Sequence, residues 1–201
     1  MTSNELTIYN KLLEVYPEFL KPISELSLND SDKREFVLSE ELGFDFDSVV
    51  NCNPLCNKIE KSPDALFCVN DTLYFIEFKE GSADKNDIRL KIHEAITTLF
   101  HFKVKYLPSL TKEQFVNLNI KYAVVVRPPK KLPKPSFFHV VEASSKQFSL
   151  KNIEGFLVND TRVIFSANTI FKLLSKVTEG RVTTIKIKNY LGNEEFVLPA
   201  A

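Results

Sequence analysis

Apolar residues change their spacing several times along this chain, and each change predicts an element. Ala65–Val69 and Thr72–Phe78 are short runs rich in aliphatic and aromatic residues, separated by Asn70-Asp71. Two such runs around a two-residue polar break predict a β-hairpin. Upstream, Leu6, Tyr9, Leu13 and Tyr16 recur at three- and four-residue steps and predict a helix over about 4–16. Thr2-x-x-Glu5 supplies a capping box for it, and Pro17 and Pro22 end or kink it. Leu26 to Asp32 reads as a turn or short loop, and Lys33 to Leu42 as a helix. From Asp87 to about Phe102, Ile88, Ile92, Ala95, Ile96 and Leu99 form one apolar stripe of a longer helix. Tyr122 to Val126 is a continuous apolar run, the mark of a buried central strand. Further strands are expected at Phe137–Glu142, Gly155–Val158, Arg162–Phe165 and Val182–Lys188. A helix capped by Ser166 or Asn168 and ended by Gly180 buries Ile170, Phe171, Leu173, Leu174 and Val177. Strands interleaved with helices predict an α/β architecture with a central mixed sheet.

The hairpin carries the most specific pattern. Pro63-Asp64 is the only Pro-Asp in the chain, and Glu77-Phe78-Lys79 the only acid-x-Lys triplet. With Val69 paired to Thr72, Asp64 falls directly opposite Glu77; a three-residue loop would shift every pairing by one. Opposed residues share a face, with Cβ atoms roughly 4.5–5.5 Å apart. Alternation keeps Lys79 on the face of Glu77 and sends Ile76 and Phe78 to the other. At about 5 Å and an effective dielectric of about 20, two carboxylates repel by about 3 kcal/mol. Such a pair either raises the proton affinity of one member or binds a cation. A hard divalent ion suits oxygen ligands, and Mg²⁺ often uses only one or two carboxylates besides waters and substrate phosphate. Two acids and a lysine so placed match metal-dependent phosphodiester hydrolysis: Asp64 and Glu77 hold the metal, and Lys79 serves the attacking water or the charge developing on phosphate. The plainer alternative is a charged strand end beside a turn acid.

Composition narrows the partners. Lys and Arg number 26 and so do Asp and Glu, so a uniformly basic surface for indiscriminate nucleic-acid binding is excluded. Charge is nevertheless uneven. Lys121, Arg127, Lys130, Lys131 and Lys134 fall in one stretch without acids, whose proline-rich tail forms a loop after the central strand. That loop either contacts a phosphate backbone or is simply solvated. Arg181, Lys186 and Lys188 read as the solvent face of an edge strand. Three cysteines, Cys52, Cys56 and Cys68, fit a reducing cytoplasm better than a disulfide framework and lack the second pair of a zinc site. Scattered His93, His101 and His139 argue against a histidine-based metal nuclease. No apolar run approaches a membrane span, and the N-terminus lacks the features of a signal peptide.

The stretch from about Lys61 to Val126 resembles the PD-(D/E)XK nuclease superfamily, whose core is a hairpin bearing these acids and lysine, then a helix and a further strand. The Lys-Ile-rich segment Asp87–Leu99 after Phe75-Ile76-Glu77-Phe78-Lys79 is similar to poorly characterised bacterial members. The resemblance implies a restriction-endonuclease-like α/β fold, one domain over 1–201 with its core at about 61–126. It implies a Mg²⁺-dependent nuclease, Mn²⁺ being a substitute, with DNA favoured over RNA, acting alone, as a homodimer or with a protein partner in defence, mobile-element or toxin biology. The Phe78 carbonyl joins Asp64 and Glu77 as a metal ligand on that basis, and Lys91 faces the phosphate; otherwise Lys91 is a snorkelling surface lysine. An upstream metal-side Glu is sought among Glu35, Glu40, Glu41, Asp45 and Asp47, with Glu40 or Glu41 preferred. The alternatives are a non-catalytic nucleic-acid- or protein-binding member of the same fold and an inhibitor or immunity factor with a coincidental triad.

Overall fold

A computed structural model describes residues 2–28, 34–52, 60–80, 84–127, 148–188 and 194–197. In chain order the elements are α1 (Asn4–Val15), β1 (Leu20–Pro22), α2 (Ile23–Leu26), β2 (Val37–Leu38), β3 (Leu42–Asp45) and α3 (Phe46–Cys52). Then follow β4 (Ala65–Val69), β5 (Thr72–Lys79), α4 (Lys85–Tyr106), α5 (Lys112–Val116) and β6 (Ile120–Val126). After a 3₁₀ turn at Leu150–Ile153 come β7 (Asp160–Ile164), α6 (Ala167–Val177), β8 (Ile185–Lys188) and β9 (Glu194–Val197).

The β4–β5 hairpin organises the sheet. Asn70 and Asp71 take left-handed φ values of 46° and 52°, as a two-residue type I′ turn requires. The turn sets the expected register, with Val69 opposite Thr72 and Ala65 opposite Ile76. β5 runs parallel to β6 through the α4–α5 crossover, and β6 runs parallel to β7. On the other side β4 pairs antiparallel with β3, and β3 with β1. The result is a six-stranded mixed sheet ordered β1-β3-β4-β5-β6-β7, beside a small antiparallel sheet ordered β2-β8-β9.

Strand alternation divides the apolar residues between two cores. Leu73, Phe75, Tyr122 and Val124 face one way, against Ile8 and Leu12 of α1, Val50 of α3, and Ile92 and Leu99 of α4. Tyr74, Ile76, Phe78, Ala123 and Val125 face the other, against Ile170 and Leu174 of α6 and Val37, Ile185 and Ile187 of the small sheet. Helices therefore cover both faces of a mixed sheet. No helix among the described residues is long and apolar enough to cross a membrane.

Several expectations change. Ser3, not Thr2, caps α1, its Oγ accepting from the Leu6 N–H at 3.2 Å. Glu5 instead reaches across the fold and accepts the Asn119 N–H at 2.7 Å, so no capping box closes. The deeply buried face of α1 is Ile8 and Leu12, while Leu6 is 36% exposed; contact with the sheet selects that face over the one carrying Leu6. Of the expected Lys33–Leu42 helix, the described residues 34–42 are not helical. Phe36 and Val37 are wholly buried there, and Ser27 Oγ bonds both the N–H and the carbonyl of Val37. Gly155–Val158 is a turn closed by a bridge from Glu154 to Val158. The last expected strand narrows to β8, which is the middle strand of the small sheet and not an edge. The expected Phe137–Glu142 strand lies outside the described residues.

Candidate functional site

Asp64 sits one step before β4 and Glu77 near the end of β5, so continuing the register past Ala65–Ile76 brings them face to face. The hydrogen-bonded pairs of this hairpin alternate, which makes Pro63 the next partner of Phe78. Proline has no N–H to offer, and the ladder stops. The Phe78 N–H donates to Asp64 Oδ2, at 2.6 Å. Alternation points the Phe78 carbonyl to the same edge, where Pro63 cannot pair it, whereas the Lys79 carbonyl turns towards β6 and accepts the Arg127 N–H at 2.9 Å. The Pro-Asp pair thus both fixes the Asp64 carboxylate and ends the ladder beside Glu77.

Lys91 of α4 completes the cluster. Its Nζ lies 2.7 Å from Glu77 Oε2 and 3.6 Å from Asp64 Oδ1. The stripe of Ile88 and Ile92 buries the adjoining face of α4 against the sheet, and the Tyr122 hydroxyl of β6 donates to the Ile88 carbonyl at 3.1 Å. These contacts place Lys91 over the carboxylates and not out in solvent.

Burial dominates the electrostatics. The Glu77 side chain is 2% exposed, and burial followed by repulsion from Asp64 pushes its carboxyl up to about 8, against the pull of Lys91 and Lys79. Burial also raises Asp64, opposed by Lys91 and by the Phe78 N–H. Its rise is the smaller, to about 6, and its side chain keeps 24% of its surface in solvent. Burial opposes the charge on Lys91, yet Asp64 and Glu77 outweigh it and hold the ammonium above its ordinary range. Tyr122, wholly buried beside both acids, is held neutral by burial and by their charges.

The donor set suits a hard cation: two carboxylates with raised proton affinity and a backbone carbonyl that Pro63 cannot pair. Among the described residues no group of three or more Asp, Glu, His or Cys side chains stands ready to hold a metal. Asp64, Glu77 and the Phe78 carbonyl are the oxygen donors at this corner of the sheet that could hold one.

Other expected residues fall differently. Lys79 ends β5 on the Glu77 side, where its charge lowers the proton affinity of Glu77. Arg127 is not on a phosphate-facing loop. It is wholly buried, donates to the Glu35 carbonyl at 2.8 Å, pairs with Glu80 and stacks over Phe36 at 5.0 Å. It sits one residue past β6, where the strand still runs between the two cores. Lys130, Lys131 and Lys134 lie outside the described residues, as do Cys56 and His139. Glu41 pairs with Arg181 at the far end of β3 from Asp45, and Glu40 lines a shallow cleft with Lys186; neither reaches the carboxylate pair. Asp45 and Glu35 are engaged by Lys21 and Lys188, each at 2.6 Å. Asp47 is the member of that acidic group whose charge reaches Asp64 and Lys91. It opens α3, which β3 delivers alongside Asp64 through the Phe46 N–H to Asp64 carbonyl bond at 3.3 Å. Only that long-range pairing marks it out, since nothing in its local sequence does.

Comparison with protein-family models, with curated proteins and with solved structures finds no match.

Proposed function

We propose that the chain is a metal-dependent nuclease of PD-(D/E)XK, restriction-endonuclease-like type that hydrolyses phosphodiester bonds of nucleic acid, DNA in preference to RNA. The observation that carries this reading is the cross-strand carboxylate pair Asp64–Glu77, with Lys79 on the same side of β5 and Lys91 above it. Asp64, Glu77 and the Phe78 carbonyl hold Mg²⁺ or Mn²⁺. When bound, the ion supplies Lewis acidity towards the phosphoryl oxygens and lowers the pKa of coordinated water. The protein's own part is positional and electrostatic. The Phe78 N–H holds Asp64 in place, Lys79 orients the water and stabilises charge developing on phosphate, and Lys91 balances the carboxylates until metal and substrate arrive. Without a metal the site favours proton and lysine; with one held by the two acids, Lys91 would be free to face the phosphate.

Incubation of the purified chain with single-stranded, double-stranded and branched DNA and with RNA tests this directly. Cleavage is expected with Mg²⁺ or Mn²⁺ and not in EDTA. Lys79→Ala and Asp64→Ala should each lower the rate by at least about 100-fold. No cleavage of any substrate, or unchanged cleavage by Lys79→Ala, would overturn the reading. One observation favours the second reading, a non-catalytic binding member of the same fold: Lys91 occupies the place of a cation between the two acids. In that case divalent metal leaves thermal stability unchanged, and Asp64→Ala leaves nucleic-acid or protein binding intact.

A further inference from the structure

On the sheet face away from Glu77, near the N-terminal ends of β6 and β7, the sheet and α6 enclose an open cleft of about 580 Å³. That is within the size range of small-molecule sites. Its floor is apolar: Tyr74, Ala123, Ile164 and Leu173 line it and all are buried. Lys121, Lys151, Arg162, Lys172 and Lys176 stand around that floor. Asp160 is the one acid in the lining, and it meets Arg162 at 3.3 Å and Lys151 at 4.0 Å. Glu154, outside the cleft, also takes up Lys151, at 2.6 Å. Lys121, Lys172 and Lys176 have no ion pair among the described residues. Two of them share one aromatic ring, with the Lys121 and Lys176 ammonium nitrogens 5.9 and 5.4 Å from the Tyr74 centroid.

In a chain of zero net charge, gathering five cations against one acid in a concavity works against the stability of the empty protein. A cation–π contact at an exposed position offsets only part of that. An anion with a less polar body satisfies both rim and floor. We propose that this cleft binds a phosphate-bearing ligand of nucleotide size, its phosphate held by Lys121, Lys172 and Lys176 and its body on the apolar floor. The ligand is a nucleoside phosphate, either free or as one unit of a single strand. Tyr74 precedes Glu77 by three residues on β5, about 10 Å along the strand, with its side chain on the opposite face. The cleft is thus separate from the carboxylate pair, and its occupancy does not depend on the proposed nuclease activity.

Calorimetric titration of the full chain in EDTA, which keeps the carboxylate site without metal, tests the cleft alone. The probes are a nucleoside monophosphate, inorganic phosphate and a short oligothymidylate. The monophosphate is expected to bind at least about tenfold more tightly than inorganic phosphate, and Lys121→Ala/Lys176→Ala to weaken it about tenfold or more. Lys172→Glu, on the exposed side of α6, should give the same loss and serves if the double variant does not fold. Oligothymidylate binding whose salt slope falls by about 1.4 in the double variant assigns the ligand to a strand; monophosphate binding without it assigns a free nucleotide. No binding of monophosphate or oligomer, affinity unchanged in both variants, or equal affinity for inorganic phosphate would each overturn the assignment. Cleavage in Mg²⁺ is read separately, so failure of one proposal leaves the other standing.

Discussion

Lys91 holds its ammonium 2.7 Å from Glu77 and 3.6 Å from Asp64, where two carboxylates would otherwise meet across the hairpin. Above about pH 8, where both acids carry charge, removing it strands a negative pair of which Glu77 is almost wholly buried. Lys91→Ala is therefore expected to destabilise the protein in EDTA by about 2–4 kcal/mol. Mg²⁺ or Mn²⁺ should then raise the melting temperature of the variant more than that of the wild type. Urea unfolding with and without metal checks both; a variant as stable as wild type in EDTA would deny Lys91 this role. The acids also predict a pH dependence. Glu77 is raised to about 8 and Asp64 to about 6, chiefly by burial. The folded protein therefore keeps protons that the unfolded chain has released, and stability falls as pH rises from the ordinary carboxylate range through those values. For Glu77 alone the loss between pH 6 and 8 is about 2 kcal/mol. Chelated wild type should show that decline in urea midpoints, and Glu77→Gln, which has no proton to lose, should not.

The hairpin is the element that places the pair, and its turn is where it can be tested. Asp71 holds φ at 52°, a region that costs a non-glycine residue roughly 1–2 kcal/mol, less for Asp and Asn. Asp71→Gly is expected to stabilise the protein by about 0.5–1 kcal/mol without disturbing the register. Chemical denaturation measures this, and a destabilised variant would argue against the type I′ turn. The same element shows why some of the fold is legible in sequence. Two-residue turns and period-2 strands are local, so Val69–Thr72 pairing and the Asp64–Glu77 opposition follow from a few adjacent letters. The stripe of Ile88, Ile92, Ala95 and Leu99 on α4 is equally local. In α1, by contrast, apolar residues lie on more than one face, and contact with the sheet selects Ile8 and Leu12. The Lys33–Leu42 segment carries no clear period, and its Phe36 and Val37 are drawn into the core shared by α6 and the small sheet.

At the scale of the whole molecule, Arg127 links parts that are far apart in sequence. From the end of β6 it reaches Glu80 beyond β5 and the Glu35 carbonyl, while the Glu35 side chain holds Lys188 at the end of β8. Breaking a buried pair leaves an uncompensated charge, so Arg127→Met should cost about 3–5 kcal/mol in urea unfolding. Because the guanidinium is wholly buried, the salt dependence of any nucleic-acid binding should not change; a reduced salt slope would return Arg127 to the phosphate contacts. Sequence alone determined the hairpin, its register, the carboxylate pair with Lys79 alongside, and the buried stripe of α4. Turn chemistry and side-chain alternation act over a few residues, and that is enough to specify them. Tertiary structure alone decided that Lys91 closes over the acids, that Asp47 and not Glu40 or Glu41 approaches them, that Arg127 is internal, and that five cations meet around Tyr74. Each of those depends on how separate segments pack against one sheet, a distance that residue spacing along the chain does not encode.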